Sequence, residues 1–309
     1  MPQSLRRQVL VALAVVLIAV LALVQSVDSV AEHRDGGRDG RAARPPVAAV
    51  SPALERPQLF DGRMFVAYYG TVGTPVLGVL GEAAPWKAAA RVEKAAAPFR
   101  RAGLKPQPVF ELIVTIADRH PGPDGDYNHD VPAVAVRRWI AAARQSGALL
   151  VLDVQPGRAD FPSVAKRWAS ALADPNVSLA LDPEWRMHGG QVPGRTIGST
   201  TGWEINLTSR WLQDFVVAHH LPQKLFVVHQ FRRDMIRGID IVRDRPDLAE
   251  IQHVDGFGTP GQKLATYRAV ARPDLFRMGF KLFYDEDIRR LSAQQVMRIR
   301  PRVDFVSFQ

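Results

Sequence analysis

Eight short apolar runs recur between residues 64 and 308: Met64–Tyr69, Val109–Ile116, Ala148–Val154, Val177–Leu181, Lys224–His229, Ile251–Val254, Gly279–Tyr284 and Val303–Phe308. Each is rich in β-branched or aromatic residues and ends in a polar turn, as covered strands do. The stretches between them carry helical spacing. Val134–Gln145 places Val136, Trp139, Ile140 and Ala143 on one face. Asp160–Leu172, Glu204–His219, Gly261–Val270 and Ala293–Ile299 are similar. Pro85 and Pro132 mark helix starts, where a missing amide is harmless. Alternating strand and helix predicts a parallel sheet. Eight strands within residues 58–309 suit the ~250 residues of a (β/α)8 barrel. The expected fold class is therefore α/β, a TIM-type barrel of eight strands and seven helices, the eighth helix missing. An open doubly wound sheet is the alternative. It is disfavoured because Gly70-Thr-Val-Gly73 lacks the glycine spacing and the lysine of a phosphate loop. Residues 47–60 are expected to cover the gap left by the last helix, or the barrel bottom.

The pattern before the barrel is different. Arg6 and Arg7 precede an uncharged run, Val9–Val24. A basic start followed by an apolar run is the grammar of export. Val24-Gln25-Ser26 and Ser29-Val30-Ala31 offer cleavage sites. The run is slightly short of the ~20 residues of a free-standing span, so a cleaved signal and a retained anchor both stay open for residues 1–31. Residues 32–57 are rich in Gly, Pro and Arg and read as a flexible spacer. The folded part is expected outside the cytoplasmic membrane, anchored to it or secreted, with the membrane a partner if the segment is kept.

Composition narrows the chemistry. The 309-residue chain has no cysteine, which excludes disulfides, a thiol nucleophile and Cys-ligated zinc. Its net charge of +9 suits anionic partners. The basic pairs Arg100-Arg101, Arg137-Arg138, Arg232-Arg233 and Arg289-Arg290 are scattered, and no basic run alternates with aromatics. With an export segment, nucleic acid is not an expected partner, whereas a wall glycan is.

In such barrels the chemistry lies at the C-terminal strand ends. Those ends read Tyr68-Tyr69-Gly70, Asp118, Asp153-Val-Gln155, Asp182-Pro-Glu184-Trp185, His229-Gln230-Phe231, His253-Val-Asp255 and Tyr284-Asp285-Glu286-Asp287. So many polar ends on one rim predict a polar pocket. Period-two alternation puts Ser178, Ala180, Asp182 and Glu184 on one face and Leu179 and Leu181 on the other. Asp182 and Glu184 then enter the mouth side by side, and their repulsion raises one pKa, as a general acid needs. Asp153 shares a face with Gln155, and His253 with Asp255. The candidate catalytic residues are Glu184, Asp182, Asp255, Asp153 and Asp285. The candidate substrate-binding residues are Tyr69, Gln155, Trp185, His229, Gln230, His253 and Tyr284. The plain structural alternatives are a solvated turn for Asp-Pro-Glu and buried, hydrogen-bonded rings for the two histidines. Lys281, mid-strand with inward parity, must meet a carboxylate, with Glu111, Asp153 and Asp255 as the choices. Arg119–Val131 and Arg186–Gly202 are long rim loops, expected as lids or binding walls. Tyr127, Trp86, Trp185 and Trp203 beside them suit stacking on sugar rings.

Asp182-Pro-Glu184-Trp185 at the fourth strand and Phe65-Val-Ala-Tyr-Tyr-Gly70 at the first resemble the family-18 chitinases and their relatives. Family-25 muramidases also place a D-x-E at this strand. The resemblance implies a glycoside hydrolase in which Glu184 is the acid and Asp182 assists the substrate's acetamido group. The chain departs from the longer motif at Val177 and Ala180, where the family has aspartates, and at Phe305–Gln309, where it has a Trp strand. As a whole the chain resembles exported barrel proteins of high-GC bacteria. The expected function is an exported glycoside hydrolase acting on a wall or extracellular glycan, with no cofactor. Two alternatives stay open. One is a metal-dependent hydrolase using His229 and His253 with Asp182, Glu184 or Asp255, although the first strand lacks His-x-His and Asp304 opens the eighth strand rather than ending it. The other is a non-catalytic glycan-binding barrel.

Overall fold

The computed structural model describes residues 58–309 except Ala102. The expected export segment and spacer lie outside the described residues. Among the described residues, no helix is long and apolar enough to cross a membrane.

Eight parallel strands form the barrel: β1 (Arg63–Gly70), β2 (Lys105–Ala117), β3 (Leu149–Val154), β4 (Val177–Leu181), β5 (Lys224–Gln230), β6 (Leu248–Val254), β7 (Arg277–Leu282) and β8 (Val303–Phe308). They pair in sequence order, and β8 returns to β1, so the sheet closes. The helices are α1 (Pro85–Ala96), α2 (Ala133–Ser146), α3 (Phe161–Arg167), α4 (Ala169–Leu172), α5 (Gly202–Ala218), α6 (Pro260–Val270) and α7 (Ala293–Met297). Their starts are written locally. Thr259 with Gln262 and Ser292 with Gln295 form capping boxes on α6 and α7. Thr201 caps α5 by accepting from the Glu204 amide.

Two details depart from the sequence reading. The link from β5 to β6 holds no α-helix. It turns through short 3-10 segments, Arg233–Met235 and Ile239–Ile241, and Ile236–Arg237 pairs with Thr200–Thr201. Gly238, at φ +63, turns the chain between them. Strand β2 also begins four residues early, through Pro106 and Pro108. Pairing with β3 starts only at Val109, so residues 105–108 have a neighbour on the β1 side alone. The two prolines share one parity, and their missing amides fall on the free side.

Apolar residues pack in two separate sets. Outward strand positions, such as Phe110, Leu152, Leu179 and Phe226, join the helices in the outer core. Inward positions make a second cluster of Phe65, Ala67, Val109, Val151, Ala180, Leu225, Val227, Ala249, Ile251 and Phe305. Leu59 and Phe60 pack against it. Phe60 meets Phe65 edge-on with ring centroids 5.1 Å apart, and the Leu59 amide donates to Gln223 Oε1 at 2.9 Å. The start of the described chain thus covers the barrel bottom, as expected for residues 47–60; the rest of that stretch lies outside the described residues.

Candidate functional site at the barrel mouth

Above the apolar cluster, the next inward position on every strand is polar: Tyr69, Glu111, Asp153, Asp182, His229, His253, Lys281 and Ser307, with Asp255 just past β6. All are buried. The groups bind one another in two sets. In the first, the Tyr69 hydroxyl donates to Asp153 Oδ2 at 2.9 Å. In the second, His229 is held at both ring nitrogens. Nδ1 lies 3.0 Å from Asp255 Oδ2 and Nε2 lies 3.1 Å from Glu111 Oε1. Lys281 Nζ is 3.5 Å from the same Asp255 oxygen and 3.6 Å above the centre of the Tyr69 ring. Lys281 therefore meets Asp255, one of its three expected partners. His253 stands edge-on to His229, with ring centroids 4.7 Å apart, and its Nε2 is 3.1 Å from Ser307 Oγ.

Burial and charge set the protonation states. Burial pushes Asp153 up to about 8, helped by Asp182 and Glu111 and opposed by His229. Burial also raises Asp182 to about 6. Asp255 goes the other way. Burial disfavours its charge, but Lys281 and the hydrogen bond to His229 outweigh that and hold it well below the usual carboxylate range. Burial and Lys281 disfavour charge on His229; the hydrogen bonds to Asp255 and Glu111 prevail and raise its pKa well above the ordinary value. His253 is pushed well below its ordinary value by burial, His229 and Lys281, and stays neutral.

Glu184 sits at the lip. Its 3-10 turn, Pro183–Trp185, is capped by Asp182, whose Oδ1 accepts from the Glu184 amide at 3.3 Å. The Gly198 amide donates to the Glu184 carbonyl at 2.6 Å. A Cβ at Gly198 would come within 2.6 Å of that oxygen, so only glycine lets the loop lie this close. Burial, then Asp182 and Asp255, push the Glu184 carboxyl well above the ordinary range. Glu184 and Trp185 are both half-buried.

The long loops are tied down by their own bonds. Asn128–Asp130 pairs antiparallel with the end of β2. Arg167 clamps this loop through Asp126 at 2.9 Å and Asn128 at 2.8 Å. Arg186 binds Glu204 at 2.9 Å and the Met187 carbonyl at 2.8 Å.

Four expected site residues have other surroundings. Gln230 is one residue past His229 and so faces outward; its amide donates to the Arg232 carbonyl and accepts from Gln252. The Gln155 oxygen accepts from the Ala117 amide at 3.2 Å, stitching the ends of β2 and β3. Tyr284 lies against the outer core, stacked on Phe308 and sharing a hydrogen bond with the Tyr68 hydroxyl. Asp285 is exposed in a bend. Gln309 still bonds both the Leu282 carbonyl and the Tyr284 amide in the ladder with β8, but Asp287 Oδ2 takes the Phe283 amide and the chain bends from Tyr284 on. Parity beyond that point has no meaning, which corrects the inward placement of Asp285. Conversely, Ser307 and Glu111 belong to the site and were outside the candidate set. Both follow from inward parity, Ser307 from Phe305 and Glu111 from Val109. Lys263 is a further buried cation, 2.9 Å from Asp287 and 2.6 Å from the Gly256 carbonyl, and it braces the ends of β6 and β7.

No protein-family model matches the chain, and no curated protein matches it significantly.

Proposed function

We propose that the chain is an exported acid–base glycoside hydrolase acting on a wall or extracellular glycan. Glu184 is the proton donor, Asp255 its ionised partner, and Asp182 orients Glu184 and assists the substrate. One arrangement carries the reading: two carboxyl groups at one mouth are pushed in opposite directions by their neighbours. Partial burial and the neighbouring Asp182 and Asp255 carboxylates favour the protonated form of Glu184. Asp255 is ionised because Lys281 and His229 lie against it. Pairs of groups whose environments drive their pKa values apart supply an acid and a base at the same pH. Trp86 and Trp203, 68% and 62% exposed, stand at the starts of α1 and α5 on the same rim and offer flat faces to sugar rings. The basic surface suits an anionic wall polymer.

The test compares the wild-type chain with Glu184→Gln on N-acetylglucosamine oligomers and peptidoglycan fragments. Turnover is expected to fall by about 10²–10⁴-fold, with binding retained. Wild-type turnover in Glu184→Gln overturns the assignment. Binding without cleavage by the wild type replaces it with a glycan-binding barrel.

A further inference from the structure

Glu111, His229 and His253 meet at the centre of the barrel with no exposed surface. One ligand atom from each lies within 4.8 Å of the other two. Glu111 Oε1 is 3.1 Å from His229 Nε2 and 3.9 Å from His253 Nδ1. The far nitrogen of each ring is held by another side chain, His229 Nδ1 by Asp255 and His253 Nε2 by Ser307. The His253 ring also has a shaped seat. A Cβ at Gly279 would come within 2.7 Å of its Cδ2, and Phe305 meets it edge-on at 5.1 Å.

This network leaves Glu111 Oε2 and His253 Nδ1 buried without a hydrogen-bond partner. Neither tautomer of His253 repairs this. A proton on Nδ1 is too far from Glu111 Oε1 at 3.9 Å to be shared. A bare Nδ1 turns a lone pair toward a carboxylate oxygen, acceptor against acceptor. His253 Nδ1, on the Glu111 side, and the second Glu111 oxygen are thus left without the partner an ion bound by this carboxylate would give.

We propose that Glu111, His229 and His253 form a site for a divalent first-row transition ion, zinc foremost. Two imidazoles and one carboxylate are donors for such ions, whereas calcium and magnesium take oxygen ligands. A tetrahedral ion bound at ~2.05 Å spaces its ligand atoms by roughly 3.3 Å, which falls between the two separations from Glu111 Oε1, 3.1 and 3.9 Å, and the two histidine nitrogens lie within 4.8 Å of each other. Asp255 and Ser307, on the far nitrogens, are the outer partners that orient ligating rings. The ion takes the place of the proton between His229 Nε2 and Glu111, and that proton leaves to solvent. Asp255 keeps its bond to Nδ1. The site stands whether or not Glu184 is a glycosidic acid.

The test loads the untagged full chain with zinc, removes free metal, and measures bound metal by mass spectrometry. Cobalt substitution reports tetrahedral nitrogen and oxygen ligation in the visible spectrum. About one zinc per chain is expected. Glu111→Gln and His253→Gln should lose it, and Ser307→Ala should weaken affinity by about 10–100-fold. If the first two variants do not fold, Ser307→Ala and the cobalt spectrum decide. A wild-type chain free of metal at micromolar zinc overturns the proposal. So does unchanged binding in Glu111→Gln, which would assign the metal to exposed histidines such as His219 and His220.

Discussion

The lower and upper halves of the barrel interior are lined by the same eight strands at the same parity, two residues apart. Ala67, Val109, Val151, Ala180, Val227, Ile251, Gly279 and Phe305 are followed two residues on by Tyr69, Glu111, Asp153, Asp182, His229, His253, Lys281 and Ser307. Both halves are buried. Their energetics are opposite. Each large aliphatic or aromatic side chain fully buried below stabilises the fold by about 1.5–3 kcal/mol. Each ionisable group buried above loses its hydration, and pairing returns that loss only in part. Burial pushes Asp153 up to about 8, against the charge it would carry in water. The upper half therefore makes no sense as a device for stability. A ring of polar groups at the C-terminal strand ends is what a reacting or ligating centre requires.

Truncating the lower half should cost the most. Phe65 has no exposed surface and fills the barrel against Phe60. Phe65→Ala is expected to lose about 3–5 kcal/mol in chemical denaturation. A loss under 1 kcal/mol would break the contrast, since the lower half would then not be a packed core.

In the upper half, single and paired changes should diverge. Lys281→Met leaves Asp255 buried with only His229, and should cost about 3 kcal/mol. Lys281→Met combined with Asp255→Asn removes both charges and should recover most of that. Equal losses in the single and the double variant would show that the pair at 3.5 Å is not coupled.

Neutralising a carboxyl that is buried against its preference should stabilise. The folded state holds the Asp153 proton up to about pH 8, while the unfolded chain releases it near ~4. Its contribution is absent below ~4, turns unfavourable as pH rises toward about 8, and is complete above that. Asp153→Asn should thus be more stable than the wild type at pH 9 and equal to it at pH 4. Thermal unfolding at the two pH values measures this directly. A destabilised variant at pH 9 would mean that the hydrogen bond from Tyr69 needs the carboxylate.

Much of this contrast was legible in the sequence, because both of its causes are local. Side chains alternate across a strand, so Asp182, Asp153, His229, His253 and Tyr69 could be aimed inward from their neighbours alone. The site lies at strand ends, so the ends could be searched. The failures mark the range of that logic. Asp285 and Tyr284 were read by extending β7 past Leu282, but the chain bends from Tyr284 on, where Asp287 turns back to take the Phe283 amide. Gln230 is a polar strand end whose parity points away from the mouth, where Gln252 meets it.

Patterning along the chain was enough for the eight strands and the inward row of ionisable side chains, since each depends on residues one to four positions apart, and the count of strand–helix units pointed to the closed parallel barrel. Which of those side chains touch was decided only by the closed sheet. His229 meets Glu111 across 118 positions of sequence and Asp255 across 26, and Lys281 selects Asp255 over Asp153. Those choices follow from the stagger of neighbouring strands around the barrel, a property of closure that no single strand contains. The same closure removes water from the row, and so turns eight ordinary strand ends into a site whose protons and charges are set by one another.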